Sequence, residues 1–183
     1  GFYDLLALDQ ECGNVLASTM DESVPKKDRS DWPQRKFIVS KKRDEEVEYL
    51  IVGDYAVIHH SQPSSTKELD IWLRASADNA KKVARAFREF GIPLIEVTEE
   101  DLSQEGLQYL IGVAPSQIDF LTSIPGLPSF EDAWLRRSTD SARGIPVHFL
   151  AKSDTITAKR TAGRPQDLAD LDEIERASSP EEE

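Results

Sequence analysis

The sequence predicts an α+β fold of α/β-like character: a small mixed β-sheet flanked by helices, without regular βαβ repeats. Three observations carry this. Tyr49-Leu50-Ile51-Val52 is a continuous apolar run stopped by Gly53, the pattern of a central strand buried on both faces. Thr66 to Leu73 alternates, with Leu69, Ile71 and Leu73 on one side and Glu68, Asp70 and Trp72 on the other. Asp78 to Phe90 carries Val83, Phe87 and Phe90 at helical spacing, with Gly91 at the capping position.

In chain order, Phe2, Leu5, Leu6 and Leu8 give residues 2–11 a partial apolar stripe, so an N-terminal helix is expected within 1–17. Residues 18–46 form a charge-dense segment. Between Val24 and Arg43 stand eight basic and two acidic residues, a local charge of +6. A solvated loop and a basic arm for phosphate or RNA are the two readings of it. Phe37-Ile38-Val39 is short enough to be an edge strand inside the arm. The folded body spans 47–177. After the first strand, Tyr55 to His60 reads as a helix with Ala56 and Val57 inward, and Gln62-Pro63-Ser64-Ser65 as a turn. A short strand is expected at Leu94 to Val97. Leu110 to Val113 and Gln117 to Ser123 form a hairpin across Ala114-Pro115-Ser116. Phe130 to Arg137 is a short helix and Pro146 to Leu150 a strand. Ser153 caps a helix reaching Thr161, and Arg164-Pro165 opens another that runs through Ala177. Residues 178–183 are an acidic, disordered tail.

The chain has 183 residues, with Lys plus Arg 22 and Asp plus Glu 34, a net charge of −12. That excess argues against general binding to duplex nucleic acid, where neutralising phosphate dominates affinity. One cysteine, Cys12, excludes an internal disulfide framework and a cysteine zinc site, and fits a reducing cytoplasm. The adjacent His59 and His60, with His148, lack the spacing of a helical zinc pair. No apolar run approaches the ~18 residues of a membrane span, and Gly1-Phe2-Tyr3-Asp4 has no signal-peptide character. A cytoplasmic protein without a membrane partner is the expectation.

Glu68 and Asp70 are the first candidates for chemistry. Two apart on a strand, they share a face with Cα atoms ~7 Å apart, close enough for one or two divalent cations. Mg²⁺ takes hard oxygen ligands and leaves positions for phosphates; Mn²⁺ is the alternative ion. Asp119, alone in Gln117-Ile118-Asp119-Phe120-Leu121, needs a partner or a metal and is the third carboxylate. The strand–Gly53–helix turn aims backbone N–H groups at an anion. The competing reading of the acidic pair is a solvated strand face, and that of His60 a hydrogen-bonded structural histidine.

These residues carry a resemblance. Tyr49-Leu50-Ile51-Val52-Gly53-Asp54-Tyr55-Ala56-Val57, His60, Pro63 and Thr66-Lys67-Glu68-Leu69-Asp70-Ile71-Trp72 resemble the core of small nucleotidyltransferase-like proteins related to AbiEii-type toxins. Gln117 to Ile124 with Gly126, and Ala158-Lys159-Arg160-Thr161-Ala162-Gly163-Arg164-Pro165-Gln166-Asp167-Leu168-Ala169-Asp170, resemble later motifs of that family. The resemblance covers 47–174 and not the basic arm. It implies a polymerase-β-type nucleotidyltransferase fold and Mg²⁺-dependent transfer of a nucleotidyl group from an NTP to an RNA or protein hydroxyl. A toxin–antitoxin or phage-defence setting, with an antitoxin partner, follows from the same resemblance. It gives Glu68, Asp70 and Asp119 the catalytic and metal-binding roles. It places Gly53, Asp54, Thr66, Lys159 and Arg164 at the nucleotide, with Asp167 holding Arg164 or Lys159.

The chain also departs from that pattern. Gly53-Asp54 stands where the family has Gly-Gly or Gly-Ser, Glu68 where it has Asp, Ser61 where it has Gly, and Ser64 where Arg is common. Four departures around one pocket make a catalytically degenerate binding or regulatory module the alternative. An active enzyme predicts that Asp54 points away; the degenerate module predicts that it pairs with Lys159 or another cation and fills the triphosphate site.

Overall fold

The computed structural model describes residues 47–61, 69–90, 94, 97–113, 116–142 and 145–177. The expected N-terminal helix, the basic arm with Phe37–Val39, the 62–65 turn and the acidic tail lie outside these residues.

The described chain runs β1 (Tyr49–Val52), α1 (Gly53–His60), β2 (Leu69–Leu73), α2 (Ala77–Phe90), α3 (Glu99–Leu102), β3 (Gln108–Val113), β4 (Ser116–Leu121), α4 (Phe130–Arg136), β5 (Ser138–Ala142), β6 (Ile145–Phe149), α5 (Lys152–Ala162) and α6 (Pro165–Arg176). The strands make one six-stranded mixed sheet in the order β3-β4-β2-β1-β6-β5. Sequence neighbours β1/β2, β3/β4 and β5/β6 pair antiparallel, while β2/β4 and β1/β6 pair parallel. This is the α+β arrangement with a mixed sheet that the pattern predicts.

Period-two alternation divides the core between the two faces. Ile51, Leu69, Ile71, Leu73, Phe120 and Phe149 pack with Val83, Ala84 and Phe87 of α2. Leu50, Val52 and Trp72 face the other way, onto Ala56, Phe130, Ala133 and Leu150. Trp72, expected on the polar side of β2, is only 2% exposed because α4 covers it, with the Phe130 ring edge-on at 5.2 Å. Phe87 lies between Phe120 at 4.7 Å and Tyr109 at 6.2 Å. The buried Asn79 ties the start of α2 to the strand edge, its side chain bonding the Glu48 backbone N–H and both the Glu48 and Arg74 carbonyls.

Several boundaries differ from the sequence expectation. α1 begins at Gly53, not Tyr55, and α2 at Ala77. Strand β2 is described from Leu69, and 66–68 lie outside the described residues. Of the strand expected at Leu94 to Val97, Ile95 and Glu96 lie outside the described residues; Leu94 and Val97 are in neither helix nor strand, and Val97 is buried in the core. Ser153 is not a cap: α5 starts at Lys152 behind Ala151, which makes no side-chain cap bond. Two elements were absent from the expectation. The Thr98/Asp101 capping box opens α3, and polar β5 is an edge strand paired with β6.

His148 marks the outer end of the sheet. Its ring sits edge-on to Trp134 at 4.9 Å, its Nδ1 lies 3.0 Å from the Thr139 hydroxyl, and the Arg137 guanidinium covers Trp134 at 3.9 Å. Burial first, and the Arg137 charge second, push the His148 pKa down to about 4. The folded state therefore keeps this ring neutral while the unfolded chain protonates it near 6.5. Its contribution to stability is present above pH 6.5 and is lost as the pH falls toward 4. An NMR titration should place the His148 midpoint near 4, and His148→Gln should flatten the stability profile over that window. A midpoint near 6.5 would contradict this environment.

Candidate functional site

A pocket of about 310 Å³ opens where β1, β2 and β4 meet α5 and the start of α6. Of the residues singled out in the sequence, Gly53, Asp54, Asp70, Asp119, Lys159, Arg164 and Asp167 all line it. Glu68 and Thr66 lie outside the described residues.

Strand register brings the carboxylates together. Asp70 of β2 and Asp119 of β4 are direct partners in a parallel pair, so their side chains share a face with backbones ~4.8 Å apart. Asp119 accepts from Gln117 Nε2 at 2.8 Å and from Gln108 Nε2 at 3.4 Å. These amides answer the question raised by a lone Asp in an apolar strand without neutralising it.

Gly53 is required twice over. Its φ of +60° is left-handed, and a Cβ there would fall inside the Asp70 carboxylate. The chain leaves β1, turns against Asp70 and enters α1 within one residue, which sets Asp54 at the pocket wall.

The opposite wall is built on Lys159, whose side chain is 8% exposed. Its ammonium donates to Asp170 at 2.6 Å and Asp54 at 2.8 Å, and lies 3.2 Å from Asp167. Burial alone would lower the Lys159 pKa; the bonds from Asp170 and Asp54 outweigh it and raise the value. Asp167, 1% exposed, accepts from the Arg164 side chain through Nε at 2.7 Å and Nη2 at 3.1 Å, and from the Arg164 backbone N–H. The Arg164 bonds, more than Lys159, hold its pKa below the usual carboxylate range. Asp167 thus holds both cations. The Arg164 side chain is 74% exposed and reaches the pocket mouth.

Asp54 is therefore bonded to Lys159 rather than turned away, with Gln166 Nε2 at 3.3 Å. His60 donates from Nε2 to the Leu150 carbonyl at 2.7 Å, which is the structural arrangement. Ser61, at the position where the family has Gly, donates to the Val57 carbonyl and ends α1.

Sequence reasoning assigned no role to Asp170, Gln166, Gln108 or Gln117. The i, i+3 spacing of Asp167 and Asp170 on α6 was an available signal. The glutamines had none, because their value comes from cross-strand placement.

Comparison with protein-family models gave no match to this chain, and comparison with curated proteins gave none either.

Asp167 is the buried acid that Lys159 and Arg164 share, so its removal takes a charge from the ammonium and unties the start of α6 at once. Asp167→Ala should therefore cost about 3 kcal/mol in denaturant unfolding. Asp172→Ala, on the exposed face of the same helix, should stay within about 0.5 kcal/mol. Equal effects would contradict the role given to Asp167. Gly53→Ala should lower Tm, since the added methyl meets Asp70 and the left-handed backbone disfavours it.

Proposed function

We propose that this chain has a polymerase-β-type nucleotidyltransferase fold and acts as a Mg²⁺-dependent nucleotidyltransferase on an NTP. The observation that carries the reading is the register of Asp70 with Asp119 on adjacent parallel strands, facing a pocket that also holds Lys159 and Arg164.

The donor set suits the ion. Among the described residues there is no group of three or more His, Cys, Asp or Glu side chains placed to hold a metal. Two carboxylates suffice for Mg²⁺, which completes its shell with waters and substrate phosphates. Asp70 and Asp119 would hold it, and Glu68 is the proposed third ligand. Bound there, Mg²⁺ supplies charge neutralisation for the triphosphate and a lowered pKa for the attacking hydroxyl. The chain's own residues do the positioning. Gly53 lets the backbone approach the ligand closely, Arg164 offers phosphate oxygens the N–H groups that Asp167 leaves unused, and Gln117 and Gln108 orient Asp119. Thr66 is a further proposed nucleotide contact.

The acceptor proposed is an RNA or protein hydroxyl, with the 24–43 arm as the element that recruits RNA. The toxin–antitoxin setting, an antitoxin partner and a cytoplasmic location rest on the sequence alone. No helix among the described residues is long and apolar enough to cross a membrane.

The Asp54–Lys159 bond is the arrangement expected of the degenerate alternative and not of an active enzyme with Asp54 turned away, and it favours a second reading, a nucleotidyltransferase-like module that binds without transferring. Calorimetry with each NTP, with and without Mg²⁺, tests both. The enzyme reading predicts micromolar binding that requires Mg²⁺ and falls at least tenfold in Asp70→Asn, together with transfer of labelled nucleotide to an acceptor. Binding without any transfer supports the module, and no binding by a folded sample contradicts the nucleotide reading.

A further inference from the structure

We propose that Asp54 is an internal competitor for oligophosphate ligands: its carboxylate occupies the Lys159 ammonium, and a phosphate group gains that cation only by displacing it. The inference rests on the reading of the pocket as a phosphate site.

Lys159 has three acidic neighbours, and they are not equivalent. Asp167 and Asp170 both stand on α6, packed against α5, with side chains 1% and 17% exposed. Asp54 comes from α1, is 31% exposed and lines the pocket. Two carboxylates remain to compensate the buried ammonium if Asp54 leaves, so the cost of an uncompensated buried charge does not arise. Asp54 is also the acid among the three with a short path to water.

The charge of the pocket points the same way. Asp54, Asp70, Asp119 and Asp167 line it against Lys159 and Arg164. An oligophosphate entering this arrangement adds negative charge beside a cation already fully engaged. Movement of Asp54 exposes the ammonium next to Arg164, whose side chain already reaches solvent. Ligand and Asp54 then bind Lys159 in mutual exclusion, which lowers the apparent affinity by the stability of the internal pair.

Calorimetry with metal-free inorganic tripolyphosphate tests this on the full chain, Asp54→Asn, Asp54→Ser and Asp119→Asn, each checked for folding by circular dichroism. Both Asp54 variants should bind about tenfold tighter than the parent chain, within the usual range of coupling between sites. Asp119→Asn removes the same charge from the same pocket without touching Lys159, and should gain less than threefold. Metal-free ATP should show the same gain as tripolyphosphate. Unchanged or weaker binding by both Asp54 variants would overturn the proposal, as would an equal gain in Asp119→Asn or a gain confined to ATP. Because no metal is present, failure of the Mg²⁺ and Asp70 dependence would remove the enzyme reading and leave this result intact.

Discussion

The interaction on which the rest depends is the buried Lys159 ammonium and its carboxylates. An ammonium this far from water is costly unless charges and hydrogen bonds surround it. Meeting that requirement draws three helices to one point: α5 supplies the lysine, α6 supplies Asp167 and Asp170, and α1 supplies Asp54. Asp167 passes the constraint on to Arg164, whose backbone and side chain it fixes together at the start of α6. The wall of the pocket is thus an electrostatic assembly, whereas its floor is a matter of sheet geometry.

That floor follows from parity. Alternate residues of β2 serve opposite faces, so Leu69, Ile71 and Leu73 enter one core while Asp70 and Trp72 take the other side. The parallel pairing of β2 with β4 then sets Asp119 beside Asp70. A slip of one residue in either strand would turn a carboxylate into the apolar core, so the core that stabilises the sheet also specifies the site. Gly53 closes the arrangement, because only a residue without Cβ passes the Asp70 carboxylate.

The legible parts of the sequence were those with strong local signals. The apolar run of β1, the spacing of α2, the hairpin of β3 and β4 and the Pro165 start of α6 are all present. Asp70, Asp119, Lys159 and Arg164 are legible in the sequence and converge on one pocket, whereas Glu68 and Thr66 fall outside the described residues. Polar β5 carried no alternation and owes its place to β6, so nothing local announced it. The partner of Asp54 depended on a contact 105 residues away, which sequence reasoning framed as two alternatives and the fold resolved as an ion pair.

In the proposed function, Asp70 and Asp119 would hold a divalent cation at a nucleotide pocket. The most direct test is anomalous diffraction from crystals grown with Mn²⁺ and a non-hydrolysable nucleoside triphosphate. The expected result is a manganese peak beside the Asp70 and Asp119 carboxylates and nucleotide in the pocket that Arg164 lines. A manganese peak remote from both carboxylates, or nucleotide bound outside this pocket, would contradict it.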